Sequence, residues 1–170
     1  GLPAGVFNLV TGTGPVVGLH VNESVLAEAA ENLVHLRPGY FMENTLMQVP
    51  NILRENALFT TFPEHTRFPM IATRDIGVRA ARLLTYRSWR GHQVVELQGA
   101  GETSYEQAAE VLSEVLGRTI NHVTITAARL RQALIGMGIS ATLAEGFVEL
   151  AASVTEGRVR FHEPRSDTNT

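Results

Sequence analysis

With 170 residues, 44% of them apolar, and a net charge of −3, the chain has enough material for a hydrophobic core and is too apolar for a disordered segment. All 14 basic residues are arginine and they are scattered, and cysteine is absent. No nucleic-acid footprint is therefore expected, and Schiff-base lysines, P-loop lysines, thiol nucleophiles, disulfides and thiolate metal sites are excluded.

Residues 6–11 are a short apolar run between Gly5 and Gly12 and read as a buried strand. Gly12-Thr-Gly-Pro15 makes a loop. It ends in a proline without an N–H and no helix follows at once, so it reads as a structural turn rather than a phosphate cradle. Asn22 caps a predicted helix in which Val25, Leu26, Ala29, Ala30 and Leu33 recur at helical spacing. Residues 33–37 are the next strand, stopped at Pro38 because the residue before a proline is pushed out of the α region. A helix is expected over about 42–52, shortened or kinked by Pro50.

Residues 58–63 read as extended, and 63–69 as a loop carrying His65, Arg67 and Phe68. Thr73 is the expected cap of a helix with Ile76, Ala80, Leu83 and Leu84 inward, and Asp75 in its first turn suits the helix dipole. Residues 92–98 are strand-like and stop at Gly99. Thr103 and Glu106 have capping-box spacing. The helix that follows is expected to bury Ala108, Val111, Leu112, Val115 and Leu116 and to end at Gly117. Residues 122–126 alternate as a half-buried strand. Helices are expected over 128–136 and 142–156, the second with Leu143, Phe147, Leu150 and Val154 inward. An edge strand is expected at 158–161, with a polar, mobile tail after it. Strands alternating with helices imply an α/β fold with a mainly parallel sheet.

Four stretches together carry a family likeness: Gly12-Thr-Gly-Pro-Val-Val-Gly-Leu-His20, His35-Leu-Arg-Pro-Gly-Tyr-Phe-Met-Glu-Asn44, Pro69-Met-Ile-Ala-Thr-Arg-Asp75 and Glu96-Leu-Gln-Gly99. In order and spacing they resemble the NmrA-like family of atypical short-chain dehydrogenases/reductases, which bind NAD(P) on a Rossmann fold. The resemblance covers the C-terminal portion of that family. It implies a partial Rossmann-like sheet over 1–56, a small α/β substrate lobe over 57–163 and a flexible tail over 164–170. The family's first four strands, with the glycine-rich phosphate turn, have no counterpart in these residues, so NAD(P) is implied without its phosphate-binding motif. Where relatives carry a catalytic lysine, four residues before the helix glutamate (here Glu23), this chain has Leu19. Residues 1–12 also look like an aldehyde dehydrogenase segment, although those enzymes need a nucleophilic cysteine.

The resemblance places Pro38, Gly39, Tyr40 and Phe41 at the nicotinamide end of the cofactor. Gly39 would let backbone approach a ligand, and the two aromatics would supply ring surface and one hydroxyl. The alternative is a tight turn with both rings packed as core. Asn44 either donates to a ligand or bonds a helix terminus. His65, Phe68 and Met70 either border an apolar substrate cleft or pack within their own lobe, and His20 lies near the same site. His20 and Glu23 lack the spacing of a metal site, and no metal is expected. No serine sits in a nucleophile elbow, and no catalytic residue is assigned.

Three functions remain open. The first is a truncated NmrA-like binding or regulatory module without its own dinucleotide site. The second is an NAD(P)-dependent oxidoreductase for a small apolar substrate, its site completed by dimerisation. The third is a structural α/β domain without ligand. An unpaired sheet edge would favour a homodimer. No apolar run approaches the roughly 18 residues of a membrane span and the first residues lack signal-peptide character, so a cytoplasmic location with no membrane or nucleic-acid partner is expected.

Overall fold

The structure, a computed structural model, describes residues 25–170 except Arg87 and Thr168, together with the backbone of 6–9. The expectations for the turn at 12–15, for Leu19, His20 and the Asn22 cap, and for the aldehyde dehydrogenase likeness outside 6–9, lie outside the described residues. In chain order the elements are β1 (Val6–Leu9), β2 (Leu33–Pro38), β3 (Tyr40–Phe41), a 3-10 helix (Met42–Gln48), α1 (Val49–Glu55), β4 (Ala57–Thr60), β5 (Phe68–Ile71), α2 (Thr73–Thr85), β6 (His92–Leu97), β7 (Glu102–Thr103), α3 (Tyr105–Leu116), β8 (Asn121–Thr124), α4 (Ala127–Gly136) and α5 (Ala141–Thr155). Residues 25–29 are helical as well. Two compact units result: Gly1–Met42, Pro69–Gly101 and Phe161–Thr170 form the first, and Glu43–Phe68 with Glu102–Arg160 the second. The chain crosses between them several times, whereas the sequence boundaries at 56 and 163 cut it once each.

In the first unit β1, β2 and β6 form a parallel sheet in that order. Leu33 to Leu36 are all buried, as expected of a parallel strand covered on both faces. Val34, Leu36, Ile71, Ile76 and Leu97 make its core, with Phe41, Ala80, Leu83 and Trp89 packed around them. Each such aliphatic side chain contributes about 1.5–3 kcal/mol on leaving water. Helix α2 starts as the pattern predicts, but its N-cap is Ala72, with no side-chain cap, and Thr73 is its first residue. Leu84 faces solvent; Leu83, one position earlier, packs on the core.

No strand forms at 158–161. The segment after it, expected to be mobile, is instead tied to β6: the Gln98 N–H donates to the Asn169 carbonyl at 2.8 Å, and Asn169 is only 3% exposed. Composition alone missed this, because a polar segment can be ordered by backbone hydrogen bonds without burying apolar surface.

In the second unit β4 and β8 pair in parallel, Ala57 opposite Asn121 and Thr60 opposite Thr124. Pro50 does not kink a helix. It sits in the first turn of α1, where its missing N–H would have had no partner, so the preceding residues form a 3-10 helix instead. The α3 capping box is Ser104 with Gln107, one residue later than expected. Ser104 Oγ accepts from the Gln107 N–H and Gln107 Oε1 accepts from the Ser104 N–H, each at 3.2 Å. The buried face is correspondingly Tyr105 and Ala109, while Val115 is 76% exposed. In α5, Ala144 and Ala151 are buried and Leu143 is 51% exposed; small residues let this helix approach its neighbours closely. Among the described residues no helix is long and apolar enough to cross a membrane.

Candidate functional site

In the first unit, three segments meet where strands end at their carboxyl sides. Strand β2 finishes at Pro38, and the Gly39 N–H donates to the Leu97 carbonyl of β6 at 2.7 Å. Strand β3 then pairs in parallel with β5, Tyr40 opposite Met70 and Phe41 opposite Ile71. A Cβ on Gly39 would stand 2.7 Å from the Pro69 carbonyl oxygen. The missing side chain therefore makes room for another strand's backbone. The same holds for Gly99, where a Cβ would lie 2.0 Å from the Met70 oxygen. The carboxyl ends of strands are where open α/β sheets bind ligands.

Sequence-predicted residues Pro38, Gly39, Tyr40, Phe41 and Met70 are thus brought together. Tyr40 and Phe41 are half-buried and Met70 is buried. Phe41 packs on the core, so it serves the fold whether or not a ligand meets its other surface. Tyr40 keeps half-exposed aromatic surface at these strand ends.

The remaining candidates among the described residues lie in the second unit. Asn44 is half-buried in the 3-10 helix. His65 takes φ +66 and its Nδ1 lies 2.6 Å from Glu106 Oε2, with the His65 side chain largely exposed and that of Glu106 partly so; such a pair contributes little to stability. Arg67 donates to the Glu102 carbonyl at 2.8 Å. Phe68 is buried among Phe62, at 4.7 Å between ring centroids, and Tyr105, at 6.0 Å.

Sequence reasoning missed a cleft of about 440 Å³ in this unit, lined among others by Glu64, Glu106, Glu110, Ser113, Asn121 and His122. The four-residue spacing of Glu106 and Glu110 on a helix was its only legible signal. His122 stacks on Tyr105 at 5.9 Å, and its Nε2 is 2.7 Å from Thr60 Oγ1. Burial pushes its pKa below the usual 6.5, an effect that Glu64 and Glu106 partly oppose.

The other perturbed group is Glu96, whose carboxylate is 7% exposed. Burial pushes its pKa up, but the N–H of Glu163 and the ring and N–H of His162 lower it further, to a net value below 4.5. A depressed folded pKa means stability that is present above about pH 4.5 and lost as pH falls through the folded value. Thermal melts followed by circular dichroism should show a smaller loss of Tm below pH 4.5 in Glu96→Gln than in the unmodified protein. Parallel acid curves would show that Glu96 carries none of this dependence.

Among sequences, no family model matches the chain. It is 31% identical over 159 residues to the NAD(P)H azoreductase of Xenophilus azovorans, covering 88% of this chain and 55% of that protein. To the agroclavine dehydrogenase of Claviceps fusiformis it is 31% identical over 148 residues, 85% of this chain and 50% of the relative. The oxidoreductase YesF of Bacillus subtilis is 30% identical over 172 residues, 94% and 58% respectively. The chain thus spans about half the length of the curated relatives it matches. Among solved structures, a nucleoside-diphosphate-sugar epimerase from Staphylococcus aureus superposes with TM-score 0.77 at 12% identity over 98% of this chain and 63% of that one. An NADPH-dependent quinone oxidoreductase from Escherichia coli gives 0.73 at 23%, over 89% and 57%. The negative transcriptional regulator NmrA, solved with NADP, gives 0.62 at 14%, over 89% and 52%. The fold is that of Rossmann-like NAD(P)-binding proteins. The chain's curated sequence relatives are described as NAD(P)H-dependent and other oxidoreductases, and NmrA is among the proteins that share its fold.

Proposed function

We propose that this chain serves an NAD(P)H-dependent oxidoreductase that reduces a small apolar molecule, with Pro38, Gly39, Tyr40 and Phe41 bordering the nicotinamide end of the cofactor. The observation that carries this reading is the meeting of Pro38–Gly39–Tyr40 with the ends of β5 and β6, at Met70 and Leu97. Support comes from relatives described as an NAD(P)H azoreductase and a festuclavine dehydrogenase. NAD(P)H would supply the hydride. The chain's own part is to seat the ring against Tyr40 and to exclude water with the buried Met70 and the half-buried Phe41.

Calorimetric titration with NADPH tests it. Submillimolar binding is expected, weakened about tenfold in Tyr40→Ala, because one ring contact is worth roughly 0.5–1.5 kcal/mol beyond its buried area. An unchanged Tm in that variant would place the loss in binding rather than in folding. No heat with NADPH would sink the reading.

A second reading has its own observation. The chain contains no lysine, and Leu19 stands where the resemblance puts a catalytic one. A binding or regulatory module without an independent dinucleotide site would account for that, and its signature would be thermal stabilisation by some small ligand together with silence toward NADPH.

A further inference from the structure

We propose that residues 161–167, 169 and 170 form a strap that fixes the carboxyl end of β6, and through it the Pro38–Phe41 segment, with Glu96 and Asn169 as its two anchors. Among the described residues, strand β6 has β2 on one side only. An edge of this kind leaves backbone groups unpaired. The strap takes up that edge just past the last residue of the strand. The Gln98 N–H donates to the Asn169 carbonyl at 2.8 Å, Gln98 Nε2 donates to the Glu163 carbonyl, and Arg165 Nε donates to the Gly99 carbonyl at 3.3 Å.

Each anchor is a buried polar side chain whose groups are taken up by the strap. Glu96 Oε2 accepts the N–H of His162 at 2.6 Å and that of Glu163 at 2.8 Å, and Oε1 lies 3.2 Å from His162 Nδ1. Asn169 closes the other end on itself. Its Nδ2 donates to the Pro164 carbonyl at 2.9 Å, and its Oδ1 accepts the Ser166 N–H at 2.8 Å. A buried carboxylate without these donors would be costly, so strap and strand hold each other.

The opposite edge of the same four residues carries the ligand segment. Leu97, between Glu96 and Gln98, accepts the Gly39 N–H and stands opposite Pro38 in the β2–β6 register. Gly99, whose carbonyl Arg165 holds, is wedged against the Met70 backbone, and Met70 pairs with Tyr40. Loosening the strap frees residues 96–99 to shift, and the 38–41 segment moves with them. Glu96 and Asn169 are positioning residues here; neither is placed against a ligand.

The test is amide hydrogen exchange at neutral pH on the full chain and on the Asn169→Ala and Glu96→Gln variants. Exchange at Gln98 and His162 is expected to quicken at least tenfold in both variants, and at Gly39 to Phe41 by a comparable factor. Strands β4 and β8 should keep their rates. Two variants at opposite ends of the strap guard against one of them failing to fold. Quicker exchange in the strap with unchanged rates at 39–41 would overturn the proposal and leave the strap an edge cover only. The ligand half rests on the oxidoreductase reading: NADPH affinity should fall several-fold in both variants. The exchange result stands without ligand, so absence of NADPH binding in the unmodified chain would sink that reading and leave the strap to be decided by exchange alone.

Discussion

Gly99→Ala should be the most damaging single methyl addition in the described residues, lowering stability by about 3 kcal/mol or more. Two costs coincide at this position. The backbone is left-handed, at φ +70, and the new Cβ would lie 2.0 Å from the Met70 carbonyl oxygen, with the Ile71 Cα at 3.3 Å. Neither obstacle is a flexible side chain that can swing away; both are backbone of β5, which is itself paired with β3. Gly117→Ala isolates the first cost. It has φ +64 and nothing within 4 Å of its would-be Cβ, so the left-handed conformation alone is charged, about 1–2 kcal/mol. Urea unfolding of the two variants side by side measures the difference. Equal losses would mean that β5 yields freely, and the rigidity ascribed to the meeting of β3, β5 and β6 would be wrong.

That contrast also marks what could be read from the sequence. Strand β2 and helices α4 and α5 were legible because apolar runs or helical stripes are bounded by proline, glycine or a capping serine or threonine, all local signals; helix α2 was legible from its apolar stripe alone, since Ala72 caps it without a side-chain hydrogen bond. The Pro38-Gly39 break was legible for the same reason, and it led to the one candidate segment that the fold assembles at strand ends. Three things were not. The capping box slipped by one residue because Thr103 and Ser104 both suit an N-cap, and only the extended backbone of Ser104, φ −96 and ψ 163, selects between them. Pairing 66 residues apart joins Glu96 to His162, and no periodicity announces it, so a polar tail read as mobile. His122 looked like any residue of an alternating strand; what gives it a perturbed pKa is burial beside helix α3, which only the fold supplies.

Phe68→Ala is expected to cost about 3–5 kcal/mol, the range for truncating a buried ring, and to do so without any selective effect on ligand binding. The sequence set Phe68 on a loop near a substrate cleft, with packing inside its lobe as the alternative. The residue is 5% exposed and lies against Phe62 and Tyr105; Phe62 and Tyr105 are stacked at 5.7 Å, and Tyr105 in turn covers His122. Removing one ring opens a void that its neighbours, Tyr105 on α3 and the buried Phe62, cannot close by a rotamer change. It would also loosen the cover over His122, whose pKa is depressed by that burial. A neutral buried histidine stabilises the fold fully above about pH 6.5 and penalises it as pH falls below that value. Part of the acid sensitivity between pH 6.5 and the depressed folded value should therefore disappear in Phe68→Ala as water reaches the ring. Thermal melts at pH 5 and pH 7.5 read both effects: a large drop in Tm at either pH, and a narrower gap between them than in the unmodified protein. If Tm holds while NADPH or substrate affinity falls, Phe68 faces a ligand after all, and the ring cluster is a binding wall instead of a core.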